Sequence, residues 1–321
     1  MTPPADPPDP SVPALVAGFP LPEQLAAADD PGVVAWRAGL DGVVTELLSQ
    51  WDLIPAVPFE PGGSSAWVAP VRDQAGADLV LKVAWAHEES RDEAAGMTAW
   101  QGRGAATVHR SERRGATSVL LMEKVVPGTE LAQLLTWPER DEVVASMLRR
   151  LWVTPEELLP TPERTERTAF RPLAHMCAWW ADEAQARAEA GHSPLPGEVV
   201  QRGLELFRSL PQDWDGEQVL LATDFHHHNV LARGEDGSRE WVLIDPKPYV
   251  GDPHYDLLQH MLNDADRLRA RPGAFADRMA ELTGLDPARS RRWLFARCVQ
   301  EAGVADGAAE AAMRLADDGV G

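Results

Sequence analysis

Cysteine is nearly missing from these 321 residues: there are two, Cys177 and Cys298. They lie far apart with no paired spacing, which excludes a disulfide framework and a thiolate zinc cluster and points to an intracellular, cytoplasmic protein. Positive charge is also scarce. Lys and Arg number 30 against 50 Asp and Glu, a formal net charge of -20. Attraction to nucleic acid or an anionic membrane is therefore not expected, whereas a cationic small partner would be welcomed. Long apolar runs are absent too: nowhere do about 18 apolar residues follow one another without charge, as a membrane span needs. Residues 1–13 are rich in proline and acid, with neither a basic nor an apolar segment, and are expected to be a solvated tail rather than a secretory signal.

What is present is an ordinary globular composition, 44% apolar and 25% charged, with length for one large domain or two moderate ones. From Pro31, the residues Val33, Val34, Trp36, Leu40, Val43, Val44, Leu47 and Leu48 keep helical spacing, with Asp30 as N-cap, and predict one amphipathic helix. Apolar runs at 66–71 and 78–85 flank a turn and predict a hairpin; 88–101 predicts a helix and 118–126 a further strand. Beyond Thr129 the pattern changes to long amphipathic segments, at 141–152, around Leu173 to Trp180, at 199–207, and from Tyr255 onward with breaks near Pro272 and Pro287. Short strands at 219–222, 229–232 and 241–244 interrupt them. The reading is α+β: a tail at 1–13, a β-rich N-terminal lobe at 14–126 and a mainly helical C-terminal lobe at 127–321. Such an arrangement is expected to leave a cleft between lobes.

The densest chemistry is Asp224-Phe225-His226-His227-His228-Asn229, with Asp245 sixteen residues beyond Asn229 at the end of an apolar strand. An Asp to accept a hydroxyl proton, an Asn carbonyl oxygen and a second Asp are what magnesium-dependent phosphoryl transfer requires. Zinc on the three histidines is the weaker reading, because neighbours on an extended chain point to opposite faces and no thiolate helps.

These residues, with Gly251-Asp252-Pro253 downstream, resemble the catalytic core of the aminoglycoside phosphotransferases. Thr223 to Leu231, Ile244-Asp245-Pro246-Lys247-Pro248, Val250 to Asp256 and Gln259-His260 are most similar to the streptomycin 6-kinase and hydroxyurea phosphotransferase branch. The resemblance extends through Val80-Leu81-Lys82-Val83 and covers most of residues 55–265. It implies a bilobal protein-kinase-like fold and an ATP- or GTP-dependent, Mg2+-dependent phosphotransferase, with streptomycin's 6-hydroxyl as the first acceptor. Hydroxyurea or another small molecule is the alternative acceptor, and a non-catalytic nucleotide-binding pseudokinase the alternative class.

Carried over position by position, the resemblance implies that Asp224 is the base and that Asn229 and Asp245 bind magnesium. Lys82 would grip the α- and β-phosphates, held by Glu93, with Glu89 the competitor. Gly62, Gly63 and Ser64 would cover the phosphates, and the backbone of Glu123, Lys124 and Val125 would meet adenine. His226, Asp252 and Asp256 would support the loop. Asp264 and Glu301 are the acids expected on the acceptor side, where an acidic surface residue is the alternative. Lys247 would contact phosphate or Asp252. The chain departs from many relatives in having Ala222-Thr223 where they carry His-Gly before the base, and Pro246-Lys247 after Asp245.

Overall fold

The computed structural model describes residues 15–155, 157, 170–235 and 239–320, apart from the side chain of Glu89; the expected tail at 1–13 lies outside them. The chain forms two compact units, one running to Ala94 and resuming over Thr107–Lys124, the other made of Ala95–Ala106 and the chain from Val125 onward.

The first unit is built on a five-stranded antiparallel sheet. Its order is Ile54–Pro55, Ala66–Arg72, Asp78–Trp85, Thr117–Glu123, Val108–Arg114. The edge strand Val108–Arg114 was not legible in the sequence, because His-Arg-Ser-Glu-Arg-Arg offers no apolar alternation; charge on an exposed edge discourages pairing with other chains. Trp67, Ala69, Val71, Leu79, Leu81, Val83, Val119 and Leu121 turn one face of the sheet into a core with Leu40, Val44 and Leu47.

Those last residues belong to the second of two helices, Pro31–Arg37 and Leu40–Gln50, where the sequence predicts one. The N-cap is as expected, Asp30 Oδ1 accepting from Gly32 N and Val33 N at 2.8 and 3.1 Å. The helix stops because Gly39, a poor helix former, bonds back to Trp36 O at 3.1 Å and starts the next helix. The predicted 88–101 helix is also shorter, a 3-10 turn at Glu89–Asp92 followed by Glu93–Ala99.

Residues Ala95–Ala106 join the helical unit, although the sequence grouped them with the sheet, because their contacts lie there. Trp100 Nε1 donates to Leu151 O at 2.7 Å, and Leu243 N and Ala106 N bond Gly104 O and Leu243 O at 2.7 and 2.9 Å.

In this second unit, Trp137–Leu151 begins four residues before the predicted 141–152 segment, on a capping box in which Glu139 reaches back to Thr136 N at 2.8 Å. Leu173–Glu189, Gly197–Ser209, Pro272–Thr283, Pro287–Gln300 and Ala308–Asp317 follow. Pro272 and Pro287 each open a helix, as breakers at the first position do. Pro287–Gln300 is largely enclosed, buried along Trp293, Leu294, Phe295, Ala296 and Cys298, and packs against Gly197–Ser209 and Pro272–Thr283.

Strands fix the loops. Val230–Arg233 pairs antiparallel with Glu240–Leu243 on one side and Pro127–Glu130 on the other. Tyr249–Gly251, a strand too short to be read from sequence, pairs with Val219–Leu221.

Gly203 lets two helices approach closely: a Cβ there would lie 2.5 Å from Val299 Cβ. Gly203→Ala gains roughly 1 kcal/mol of helix propensity but overpacks a core helix pair at a cost of about 1–3 kcal/mol. The variant is expected to melt below the parent; a raised melting temperature would contradict this packing.

Candidate active site

Lys82 lies mid-strand, opposite Val68 and Leu120. Because Leu79, Leu81 and Val83 face the core, the strand period of two turns Lys82 to the other face. There Nζ donates to Glu93 Oε1 at 2.7 Å, with the side chains 8% and 1% exposed. Glu93, one of the two carboxylates weighed for Lys82, is bonded to it; the side chain of Glu89 lies outside the described residues. Breaking such a buried pair by removing one partner costs about 3–5 kcal/mol, so each holds the other in place.

Gly62 has a φ of +73°, and a Cβ there would stand 2.6 Å from Pro22 Cβ, so the turn needs glycine. Gly63 pairs with Ala66 and has open space where a Cβ would sit; Ser64 is exposed. The turn therefore presents backbone. Glu123 ends its strand with a closed pair, its N donating to Thr107 O at 2.9 Å and its Oε1 accepting from Thr107 N at 2.8 Å. The division between the units falls just after it, between Lys124 and Val125.

In the helical unit, the register Val230 opposite Leu243 sets Asn229 beside Ile244, whose N donates to Asn229 O at 2.9 Å. Asn229 and Asp245 thus share one end of a hairpin. Asn229 Nδ2 donates to Asp224 O at 3.1 Å, which ties the loop shut through the amide nitrogen and not through its carbonyl oxygen, the atom that could serve a metal. Lys247 places its Nζ on Asp245 Oδ1, rather than on Asp252. A carboxylate and an amide oxygen are hard donors of the kind magnesium takes, and the Lys247 ammonium on Asp245 Oδ1 would have to share that carboxylate with the ion.

Thr223 carries the strain of this loop. Its φ is +51°, the left-handed region that costs a β-branched residue about 1–3 kcal/mol. The resemblance drawn from the sequence expects glycine at this position, and Thr223 adopts a glycine-like conformation. Neighbouring bonds enforce it. Asp256 Oδ1 accepts from Thr223 N at 2.8 Å and Oδ2 from Ala222 N at 3.2 Å and Trp152 Nε1 at 3.0 Å. Thr223 Oγ1 donates to Lys247 O, and Lys247 N to Ala222 O at 2.8 Å. Burial pushes the Asp256 carboxyl up to about 6, against the pull of those N–H donors.

Asp252 holds the 3-10 turn Pro253–Leu257 that carries Asp256, accepting from His254 N at 3.1 Å and from Arg289 Nε and Trp293 Nε1 at 2.6 Å each. Burial would raise its carboxyl, but the bonds from His254, Trp293 and Arg289 hold it below the usual carboxylate range.

The histidine run divides. His226 faces Asp224, Nε2 to Oδ1 being 3.6 Å. His227 is buried edge-on to Trp137, with ring centroids 4.8 Å apart. His228 Nδ1 meets Glu130 Oε2 at 2.6 Å. Burial first, then the nearby His228 charge, pushes His226 down to about 4 and His227 to about 3. Among the described residues, no three His, Cys, Asp or Glu gather as a metal cluster.

The two acids expected on the acceptor side are engaged inside the unit. Asp264 is 5% exposed and caps Ala265–Ala270 through Arg267 N at 3.2 Å. Glu301 Oε1 pairs with Arg297 Nη1 at 2.6 Å. Asp264 is buried and Glu301 half-buried.

Sequence reasoning missed Asp141, fully buried beneath the loop, where it binds His260 Nε2 at 2.9 Å and Arg267. The signal was available: Asp141 shares the apolar helix face with Val144 and Leu148, where an acid needs a partner.

Comparison with known proteins places this geometry in context. Residues 50–308 match the family described as aminoglycoside/hydroxyurea antibiotic resistance kinase. A hydroxyurea phosphotransferase from Kitasatospora aureofaciens is 35% identical over 82% of this chain and 72% of its own length. A streptomycin 6-kinase from Streptomyces glaucescens is 29% identical over 88% and 89%. Among solved structures, the apo form of a thermostable mutant of aminoglycoside phosphotransferase APH(4)-Ia aligns with a TM-score of 0.53 at 16% identity, covering 86% of this chain and 99% of that one. An amicoumacin kinase in complex with AMP-PNP, Ca2+ and Ami aligns at 0.51 and 13% identity, covering 92% and 94%. These likenesses show a kinase-like fold.

The Thr223 conformation yields a stability order. Thr223→Val keeps the strain and leaves Lys247 O without its hydroxyl donor, a loss of about 1–3 kcal/mol. Thr223→Gly loses the same bond but relieves about 1 kcal/mol or more of backbone strain. Denaturant unfolding is expected to rank Gly above Val; equal losses would contradict a strained Thr223.

Proposed function

This chain belongs to the aminoglycoside/hydroxyurea antibiotic resistance kinases, phosphotransferases that act on hydroxyl groups, and from that premise we propose that it transfers the γ-phosphoryl group of ATP to a hydroxyl of streptomycin. The observation that carries the reading is the hairpin end that sets Asn229 and Asp245 together, with Asn229 bonded to the Asp224 loop.

In this mechanism the acceptor hydroxyl donates a hydrogen bond to one carboxylate oxygen of Asp224, which orients it and takes its proton late in the step. The hydroxyl oxygen forms the new bond to phosphorus as the bond from phosphorus to the departing ADP oxygen breaks. Asp224 needs no raised pKa for this, since its task is orientation first and proton acceptance second. Asn229 and Asp245 would hold magnesium, which supplies charge neutralisation to the phosphates. Lys82, fixed by Glu93, would hold the α- and β-phosphates; the backbone of Gly62, Gly63 and Ser64 would cover phosphate oxygens, and the backbone of Glu123 to Val125 would meet adenine. Addition of phosphate cancels part of the positive charge of an aminoglycoside, which is the route to resistance.

A second reading, hydroxyurea as acceptor, is favoured by one specific observation. Asp264 is buried, with Oδ1 on a helix cap, and Glu301 Oε1 is paired with Arg297, so neither of the two carboxylates expected to draw a polycation is wholly available to one. A small uncharged acceptor makes no such demand.

Asp224→Asn is expected to lower turnover by about 10³-fold or more, beyond the usual loss for a general base alone because orientation goes with it. Nucleotide binding by calorimetry should stay within a few-fold of the parent. Turnover retained in that variant would sink the mechanism.

A further inference from the structure

We infer that Lys247 is a placeholder cation for the metal: its ammonium neutralises Asp245 when no nucleotide is bound, and passes to a phosphate oxygen when metal and nucleotide arrive together. The inference rests on reading Asp245 as a metal ligand.

The ion pair is built into the turn that ends the hairpin. Asp245 has a φ of +50°, a left-handed conformation that aspartate tolerates better than most residues. Two residues later, Lys247 Nζ donates to Asp245 Oδ1 at 2.5 Å. The Lys247 side chain is 17% exposed and that of Asp245 39%, so the ammonium is the more shielded of the two.

The backbone of Lys247 is fixed, which leaves the side chain as the part that changes partner. Lys247 N donates to Ala222 O at 2.8 Å, and Lys247 O accepts from Thr223 Oγ1. Pro246 and Pro248 flank it, each with its own φ locked by the ring. Pro248 is packed in turn: a Cβ on Gly96 would stand 2.3 Å from Pro248 Cγ. The lysine stem, by contrast, is four flexible carbons ending in three rotatable donors. Exchange of partner therefore needs new rotamers and no movement of the loop.

Charge sets when the exchange occurs. Asp245 and Lys247 together carry no net charge and Asn229 adds none, so this set offers a lone dication little attraction. Ammonium and dication also repel one another across a single carboxylate. Magnesium dehydrates reluctantly and is usually held by one or two carboxylates together with substrate phosphates. A triphosphate brings negative charge enough for both cations, and a lysine ammonium is a common partner of phosphate oxygen. The nucleotide is thus what lets Asp245 give up Lys247, and the ammonium remains as a further positive charge on the phosphates. Lys247 keeps its three protons throughout and forms no covalent bond.

The test measures metal binding by the nucleotide-free protein, with Mn2+ as probe read by electron paramagnetic resonance and Mg2+ by calorimetry. Lys247→Met removes the ammonium at similar length, and Lys247→Arg keeps a cation. A charge within about 4–6 Å moves the affinity of a carboxylate for a proton by roughly one to three powers of ten, and an ion on the same oxygens feels the same field. Met is therefore expected to bind Mn2+ at least about 10-fold more tightly than the parent, and Arg to stay within about threefold of it. Adding Asp245→Asn to the Met variant should abolish the gain, which also subtracts metal held elsewhere on this acidic chain. With streptomycin or hydroxyurea as acceptor at saturating Mg2+, Met should lower kcat/KM for ATP by about 10-fold or more, with Arg retaining most of it.

Unchanged metal affinity in Met would overturn the inference, as would a gain that survives Asp245→Asn. A tighter metal with kcat/KM for ATP unchanged would overturn the transfer of the ammonium to phosphate. If Met fails to fold, Lys247→Gln, uncharged but still able to donate to Asp245, is judged by the same criteria. Asp245→Asn alone separates the two levels. Metal binding in the presence of ATP that is unaffected by Asp245→Asn overturns the reading beneath; weakened binding there, with Lys247→Met like the parent, overturns this inference alone. Metal binding needs no acceptor, so a parent that phosphorylates neither acceptor counts against the proposed function and leaves this result to stand by itself.

Discussion

One fully buried carboxylate, that of Asp256, gathers the N–H groups of Ala222, Thr223 and the Trp152 indole, and the placement of every candidate catalytic group in the helical unit runs back to it. Through Thr223 it enforces a left-handed turn one residue before Asp224. Lys247 bonds back to the same turn, so the stretch that carries Asp245 is tied to the stretch that carries Asp224. Asp256 in turn is fixed from below. Asp252 caps the short helix on which Asp256 sits, and Asp252 is gripped by Arg289 and Trp293 of the largely buried helix Pro287–Gln300. The chain of dependence therefore runs from the core helix Pro287–Gln300 to Asp252, to Asp256, to Thr223, and ends at Asp224.

Burying two carboxylates so close to one another is expensive, several kcal/mol each for an unpaired ion, and the two are compensated differently. Asp252 has a guanidinium, an imidazole and an indole, and its carboxyl is held below the usual range despite burial. Asp256 has only N–H dipoles, and burial prevails, pushing it up. The strained turn is thus supported by a group that is itself destabilised by its surroundings. Strain of this kind persists where the surrounding structure over-determines it, and it concentrates at functional sites.

Much of this was legible in the residues. The helix start at Asp30, the strand bearing Lys82, the helix openings at Pro272 and Pro287, and the Asp224 to Asn229 motif could be read because each rests on local chemistry: a cap, an alternation, a breaker, a spacing. What could not be read depends on tertiary partners. The break at Gly39 is set by how two helix faces share one core, the charged edge strand Val108–Arg114 by pairing with Thr117–Glu123, and the three-residue strand Tyr249–Gly251 by Val219–Leu221. The same holds at the site. Sequence marked Ala222-Thr223 as a departure from the expected His-Gly; only the φ of Thr223 and its bonds explain how a threonine takes a glycine-like conformation there. Sequence offered Asp264 and Glu301 as acids for an acceptor, and only their bonds to Arg267 and Arg297 reveal how they are engaged.

That last point reshapes what the net charge of -20 means. Acid in excess suggested a polycationic acceptor, yet Asp141, Asp252, Asp264 and Glu301 are all engaged in internal bonds within the helical unit. Total charge is a poor guide to a binding surface when the acids near the loop are structural. The central claim, transfer of a phosphoryl group to an acceptor hydroxyl, is tested most directly by following label from γ-32P-ATP with streptomycin and with hydroxyurea as acceptors. The account predicts that label appears on one of these acceptors as a phosphate ester, in one-to-one ratio with the ADP formed. Label released only as inorganic phosphate, or left on the nucleotide with both acceptors, would contradict it.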